Sequence, residues 1–265
     1  MRNLALTLML LIPALSPAQE PLTDADEIVR RANLAAYYAG ADGRSDARMI
    51  ITDAQGREQL RQFVVLRRDR EDGGDQDFLV FFSRPSDVRG TVFLVKKHPD
   101  RDDDRWLYLP GLDLVKRIAA GDKRTSFVGS HFFYEDVSGR NPNADTHELV
   151  ETTDREYVLV HRPKDAGAVE FSEYTTWIDR ETFLPMKIEY RNDRGQTYRR
   201  VEVVEVQEIE GHPTVVRSQI SNLESGGRTR MEFRFIAYDI GIPEDVFSER
   251  SLRSPPREWL ERPEG

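Results

Sequence analysis

Residues 185–206 read PMKIEYRNDRGQTYRRVEVVEV. Met186, Ile188 and Tyr190 alternate with Lys187, Glu189 and Arg191, a two-residue period that puts the apolar side chains on one face of an extended strand. Asn192-Asp193-Arg194-Gly195 is turn chemistry, because Asn and Asp bond their own backbone and Gly tolerates positive φ. Tyr198 to Val206 then runs back. So short a turn dictates antiparallel pairing, since a parallel pair needs a crossover of about a dozen residues. Met231-Glu232-Phe233-Arg234-Phe235 repeats the alternation after Ser225-Gly226-Gly227.

Outward from this hairpin, the period stays near two. Strands are predicted over 49–52, 62–66, 78–82, 91–95, 105–109, 112–119, 148–150, 157–161, 172–179, 185–191, 198–208, 214–222 and 229–238, separated by Gly, Pro, Asn and Asp breakers. One helix precedes them. Thr23 or Asp24 caps it, Ile28, Val29, Ala32, Ala35 and Ala36 recur near helical spacing, and Gly40 closes it. No stretch alternates strands with helices of ordinary length, which disfavours a doubly wound fold. The expected architecture is mainly β: a large antiparallel sheet, strongly curved or partly closed as an incomplete barrel, with an N-terminal helix.

Phe78-Leu79-Val80-Phe81-Phe82 and Val92-Phe93-Leu94-Val95 do not alternate; they are apolar on both faces. An antiparallel strand with one wet face reads differently, so a second layer, a helix or an apolar ligand must cover the other face. The candidate cover is 126–137, SFVGSHFFYEDV. Ser130 is expected to cap a short helical segment carrying Phe132, Phe133, Tyr134 and Val137, with Glu135 and Asp136 turned outward. Such a segment is either a fixed core plug or a movable lid over an apolar cavity.

Composition excludes more than it assigns. The 265 residues contain no cysteine, which removes disulfides, thiolate metal sites, a cysteine nucleophile and an acylated lipoprotein cysteine. With 47 acidic against 38 basic side chains and a formal charge of −9, a nucleic-acid partner is disfavoured, because neutralising phosphates needs surplus Lys and Arg. Residues 1–18, MRNLALTLMLLIPALSPA, combine a basic start, an apolar run too short to span a bilayer and small residues at Ser16 and Ala18. They read as a signal peptide, and an exported chain without cysteine suits the bacterial periplasm.

Chemistry-bearing motifs are sparse. No two of His98, His131, His147, His161 and His212 lie within four residues of each other, so no local metal motif exists. Asp102-Asp103-Asp104 lacks the glycine and terminal Glu of a calcium loop and reads as a solvated tip. There is no G-x-S-x-G elbow, P-loop or GxGxxG, and Ser130, His131 and Asp136 are too close in sequence to be read as a triad. Lys96-Lys97, Lys116-Arg117 and Lys123-Arg124 read as edge-strand gatekeepers or as contacts to headgroups or an acidic partner. No catalytic residue, metal or cofactor is assigned.

Trp106-Leu107-Tyr108-Leu109-Pro110, then Lys116-Arg117-Ile118, then Phe127 with Gly129-Ser130, Phe132 and Tyr134-Glu135-Asp136 form an ordered block. Together with Pro85, Arg89-Gly90-Thr91, Trp177-Ile178-Asp179, Pro185, Phe247-Ser248 and Leu252, it resembles the LolA-like outer-membrane lipoprotein-sorting proteins, in the longer branch associated with RND-superfamily transporters. The resemblance runs through nearly all of residues 24–253, with His131 where that block is expected to carry Asp. It implies a half-open antiparallel sheet closed on its concave side by helices, as one lipid-binding domain over 19–265. It further implies a non-enzymatic periplasmic carrier that takes lipid or lipoprotein acyl chains toward the outer membrane. An inner-membrane RND-superfamily transporter would be its partner, with only transient membrane contact by a monomer. Trp106, Tyr108, Phe127, Phe132, Phe133 and Tyr134 are the expected ligand contacts, with Phe81, Leu94 and Trp177 as further wall positions. The competing readings are a lipid-sensing module that regulates a membrane partner, and a hydrolase with dispersed catalytic residues.

Overall fold

The computed structural model describes residues 20–71 and 73–261; the signal-peptide reading of 1–18 lies outside them. Helix α1 (Ala25–Tyr37) begins after Asp24, whose side chain accepts from the N–H groups of Asp26 and Glu27, so Asp24 is the cap. Ile28 and Ala32 are its buried stripe.

The strands are β1 (Asp42–Thr52), β2 (Glu58–Asp69), β3 (Gln76–Arg84), β4 (Val92–Lys97), β5 (Asp104–Leu109) and β6 (Leu114–Arg117). They continue as β7 (Asp145–Thr152), β8 (Glu156–Pro163), β9 (Glu173–Asp179), β10 (Pro185–Arg191), β11 (Thr197–Ile209), β12 (His212–Asn222) and β13 (Arg228–Tyr238). All thirteen form one antiparallel sheet, ordered β6-β5-β4-β3-β2-β1-β13-β12-β11-β10-β9-β8-β7. Two meanders are thus joined where β1 pairs with β13, from Gly43↔Tyr238 to Thr52↔Arg228. The strand predicted over 112–119 is shorter than expected, because Pro110–Leu112 makes a 3-10 turn and Asp113 takes a left-handed conformation before β6.

This order has a topological consequence. The two edge strands, β6 and β7, are consecutive in sequence, so residues 118–144 must travel from one edge of the sheet to the other. They do so over the concave face, touching β3 and β4 through Phe127, β13 through His131 and β11 through Asp136. Within them, α2 (Tyr134–Ser138) is the only helical turn among the described residues of the crossing that is of α type.

The strands that are apolar on both faces are covered on both. Phe78, Val80, Phe82, Phe93 and Val95 pack on the concave side with Phe127 and Tyr134. Leu79, Val92 and Leu94 face the other way, against Ile242, Val246, Phe247 and Leu252 of the C-terminal segment. That segment carries the short helices α3 (Arg250–Arg253) and α4 (Arg257–Leu260) and is tied down by polar bonds. Arg68 donates to the Ile242 carbonyl at 2.6 Å, and Arg44 donates to the carbonyls of Trp259 and Leu260 at 3.0 Å.

Several expectations for charged and capping residues are corrected. Ser130 does not cap a helix: its hydroxyl donates to the Phe127 carbonyl at 2.7 Å and accepts from the Phe132 N–H at 3.1 Å, closing a turn in which Gly129 has φ +79°. The helix starts later, with the Asp136 carboxylate accepting from the Phe133 N–H at 2.6 Å. Glu135 and Asp136 point inward, Glu135 being 3% exposed, because buried guanidiniums await them. Lys97 is no edge gatekeeper: it is buried, with Nζ 4.7 and 4.9 Å from the rings of Tyr37 and Tyr38, and burial pushes its amine down to about 8. Asp103 is likewise no solvated tip, since it pairs with the buried Arg105 at 2.6 Å and accepts from Ser138 at 2.8 Å.

Candidate functional site

Between α1, the concave face and the crossing segment lies a cavity of about 460 Å³. Val29 and Ala36 form its roof, Val65, Val80, Ile178, Ile188, Val201 and Ile220 its sheet wall, and Phe127, Phe132 and Val137 its cover. The volume falls in the range of sites that hold small organic ligands. Aliphatic walls offer water few hydrogen bonds, so an apolar guest is favoured over the water it replaces. Gly139 fixes how the cover meets the roof: at φ +81°, an added Cβ would sit 2.5 Å from the Tyr37 ring. A glycine there lets the end of α2 dock against the end of α1.

β12 and β13 pair only from Arg217↔Glu232 to Ser221↔Arg228. Beyond that they part, and the cavity reaches the gap between Thr214 and Val215 on one strand and Ile236 and Tyr238 on the other. The Thr214 and Tyr238 hydroxyls, 2.9 Å apart, span the gap.

Of the nine expected contact residues, Phe127 and Phe132 line the cavity. Tyr134 packs behind Phe127 on Phe93, and Phe133 stacks against the guanidiniums of Arg124 and Arg199. Phe81, Leu94, Trp106 and Tyr108 are on the opposite face, among the residues that meet the C-terminal segment. Strand alternation is the reason: in β5 it is Leu107 that turns to the concave side. Trp177 is likewise directed away while Thr176 and Ile178 line the cavity, and its ring carries Lys187 Nζ at 3.5 Å. The second-half wall, Ile188 with Val201 and Ile220, lies on the strands with the cleanest alternation in the chain, which is the signal that marks it in the sequence.

Buried Arg44 and Arg67, paired with Asp46 and Asp69, line one part of this space, and two further polar groups border it. Under the crossing segment, Arg124 bonds Glu135 at 2.5 Å and grips Glu170 with two bonds of 2.8 Å. Arg140 grips Asp145 at 2.8 and 2.7 Å, and Arg199 meets Asp136 at 2.5 Å. For Arg124 and Arg140 the forked geometry offsets the desolvation of charges this buried, whereas Arg199 makes a single bond. The Ser130 hydroxyl faces backbone, the His131 ring bonds the Thr229 hydroxyl at 2.8 Å, and Asp136 serves Arg199, so these three do not assemble a triad.

The other group is a histidine pair. His161 Nδ1 lies 2.7 Å from His147 Nδ1, His161 Nε2 lies 2.7 Å from the Thr176 hydroxyl, and His147 Nε2 lies 3.1 Å from the Pro142 carbonyl. A carbonyl can only accept, so His147 carries its proton on Nε2, His161 donates from Nδ1, and Thr176 donates to His161 Nε2. Burial first, then the neighbouring His147, push His161 down to about 3. The unfolded chain therefore takes up this proton from about pH 6.5 downward while the fold refuses it, so stability falls as pH falls through that window. From pH 6.5 to 4.5 the loss should be about 2 kcal/mol. Urea melts of the wild type and of His161→Phe check this; an unchanged pH slope in the variant would remove His161 as the cause.

A family model described as "Uncharacterized protein" matches residues 74–254, well over half of the chain. The chain belongs to that family, and its fold is the LolA-like one of outer-membrane lipoprotein-sorting domains. A domain proposed as an outer membrane lipoprotein-sorting protein, from Vibrio parahaemolyticus, is similar at a TM-score of 0.78 and 25% identity, over 86% of this chain and 98% of that one. A DUF1329 family protein from Desulfovibrio piger gives a TM-score of 0.77 at 27% identity, over 86% and 96%. A LolA superfamily protein from Nitrosomonas europaea shares the fold at a TM-score of 0.65 and 19% identity, over 86% and 99%. No functionally curated protein matches the chain. Among the described residues, no helix is long and apolar enough to cross a membrane.

Proposed function

We propose that this protein is a non-enzymatic periplasmic carrier that holds acyl chains of a lipid or lipoprotein in the cavity and moves them toward the outer membrane. The supporting observation is the cavity of about 460 Å³, walled by aliphatic side chains and covered by one chain crossing rather than by sheet. Each methylene taken out of water contributes about 0.8 kcal/mol, so a chain of a dozen carbons is held by contact with apolar walls alone. Release then needs the cover to move, and residues 126–138 are the part able to do so, being joined to the sheet mainly by side chains. The 1–18 segment accounts for export to the periplasm, and an inner-membrane RND-superfamily transporter is the partner that would load the carrier.

Phe132 and Phe127 are the cover's contacts to the cargo in this reading. Protein purified from a Gram-negative periplasm should retain about one lipid per chain in native mass spectrometry. Phe132→Asp, which puts a charge on the cavity wall, should reduce lipid occupancy about tenfold or more while the fold remains. An empty wild-type cavity, together with no lipid transfer between vesicles, would overturn the proposal.

A further inference from the structure

The three buried guanidiniums under the crossing segment are not equivalent. Arg124 and Arg140 both touch Glu135 of the segment, but each also holds a carboxylate outside it, Glu170 at 2.8 Å and Asp145 at 2.7 Å. Arg199, on β11, has one carboxylate partner, and it is Asp136 of the segment. The Nε and Nη1 atoms of Arg199 have no hydrogen-bond partner among the described residues, although the residue is 2% exposed. Its guanidinium lies 4.4 Å from the Phe133 ring and 5.1 Å from the Tyr190 ring, contacts that hold a cation without neutralising it.

Its position is next to the cavity. Val201, two residues along the same strand face, lines the wall, as do Asp136 and Tyr190. When residues 126–138 move to admit cargo, Arg124 and Arg140 each keep a carboxylate. Arg199 loses its only one, and the Phe133 ring leaves with it. A buried guanidinium left with the Tyr190 ring and no carboxylate is unfavourable, so the open, loaded state favours an anion at this point.

Resting on the carrier reading above, we propose that Arg199 is the headgroup site for an anionic amphiphile, whose phosphate or carboxylate takes the place of the Asp136 carboxylate. The guanidinium fork suits two oxygens of such a group, and the acyl chains then run along Val201, Ile188 and Ile220. Asp136 is the internal stand-in that keeps Arg199 paired while the carrier is empty. The cargo thereby acquires a chemical class: acyl chains joined to an oxyanion, not a neutral glyceride or sterol-like hydrophobe.

The test uses the delipidated full chain and three probes: dioctanoyl phosphatidylglycerol, dioctanoylglycerol with the same acyl chains, and inorganic phosphate. The wild type should bind the anionic lipid about tenfold more tightly than the neutral one, with no measurable phosphate binding. Asp136→Asn removes the competing carboxylate and should widen that preference about fivefold further; Arg199→Leu should abolish it, and Arg199→Lys should keep part of it. Equal affinity for the two lipids in the wild type would overturn the proposal. So would an Asp136→Asn variant that tightens both lipids alike, which would make the pair a simple latch. Phosphate binding as tight as lipid binding would also overturn it, in favour of a free-anion site. Failure of every lipid to bind would instead sink the carrier reading on which the inference stands.

Discussion

Replacing Asp42 with alanine is expected to lower the free energy of unfolding by about 4 kcal/mol. Asp42 opens β1 and is 5% exposed. One carboxylate oxygen accepts from the Ile240 N–H at 2.9 Å; the other accepts from the N–H groups of Gly241 and Ile242 at 2.9 and 3.0 Å. A hydrogen bond to a charged group contributes about 1.5–3 kcal/mol, and a buried N–H left bare adds its own desolvation penalty. The three do not add in full, because Ile240 and Gly241 can turn to water, whereas Ile242 is completely buried. The damage should spread in one direction. Ile242 leads into Val246, Phe247 and Leu252, which cover Leu66, Leu79 and Leu94 on the convex face. Loss of the anchor should therefore raise hydrogen exchange over 240–260 before it is felt in the second-half strands. Asp42→Asn, which keeps acceptor capacity without the charge, should lose about half as much. A shift below about 1 kcal/mol in urea melts would show that Arg44, Arg68 and the apolar contacts hold the segment by themselves.

The parts of this fold that were legible in the sequence are those where one face is wet. The predicted bounds of β10 match the strand to the residue, and those of β12 and β13 nearly so, because Met186-Lys187-Ile188-Glu189-Tyr190 and its counterparts declare their faces. β3 to β5 were recognisable as strands but not as oriented ones. When both faces are apolar, a two-residue period carries no sign, so Phe81, Leu94, Trp106 and Tyr108 could be assigned to the cavity although they belong to the C-terminal cover. The requirement for a second cover was evident from Phe78-Leu79-Val80-Phe81-Phe82. Its identity is not legible there, because the C-terminal segment that supplies it, around Ile242 to Leu252, carries no pattern that ties it to these strands. The charged network was hidden for a different reason: Arg199 and Asp136 are far apart in sequence, and an Arg in an alternating strand looks like any solvated residue.

The strand order supplies what local pattern could not. A sheet whose two edges are consecutive strands forces its longest connection across its own open side. A cover made in this way is attached at both ends, by Ile118 after β6 and by Asp145 at β7, yet it shares only a single isolated bridge, Ser126↔Phe133, within itself. Its attachment to the wall is thus a matter of side chains, and these differ in strength along its length.

That difference yields the second large effect. Phe127→Ala is expected to destabilise the protein by about 4 kcal/mol, whereas Phe132→Ala should cost about 1 kcal/mol. Phe127 is 1% exposed, with ring centroids 5.7 Å from Phe82, 5.4 Å from Phe93 and 5.5 Å from Tyr134. Truncating it removes aromatic contacts on three sides and leaves a void that the stiff sheet beneath cannot close. Its backbone also anchors the turn, for its N–H donates to the Phe132 carbonyl at 2.7 Å and its carbonyl accepts from the Ser130 N–H at 3.0 Å. Phe132 also borders the cavity but is only partly buried and lacks Phe127's three ring partners, so less packing is lost with it. A segment built in this manner pivots at Phe127 and swings at Phe132. In the wild type, exchange of amides 129–138 should then be faster than that of 125–127, and Phe127→Ala should erase the contrast. Equal destabilisation by the two alanines, with uniform exchange along 125–138, would identify the segment as a fixed plug and remove the hinge from the mechanism.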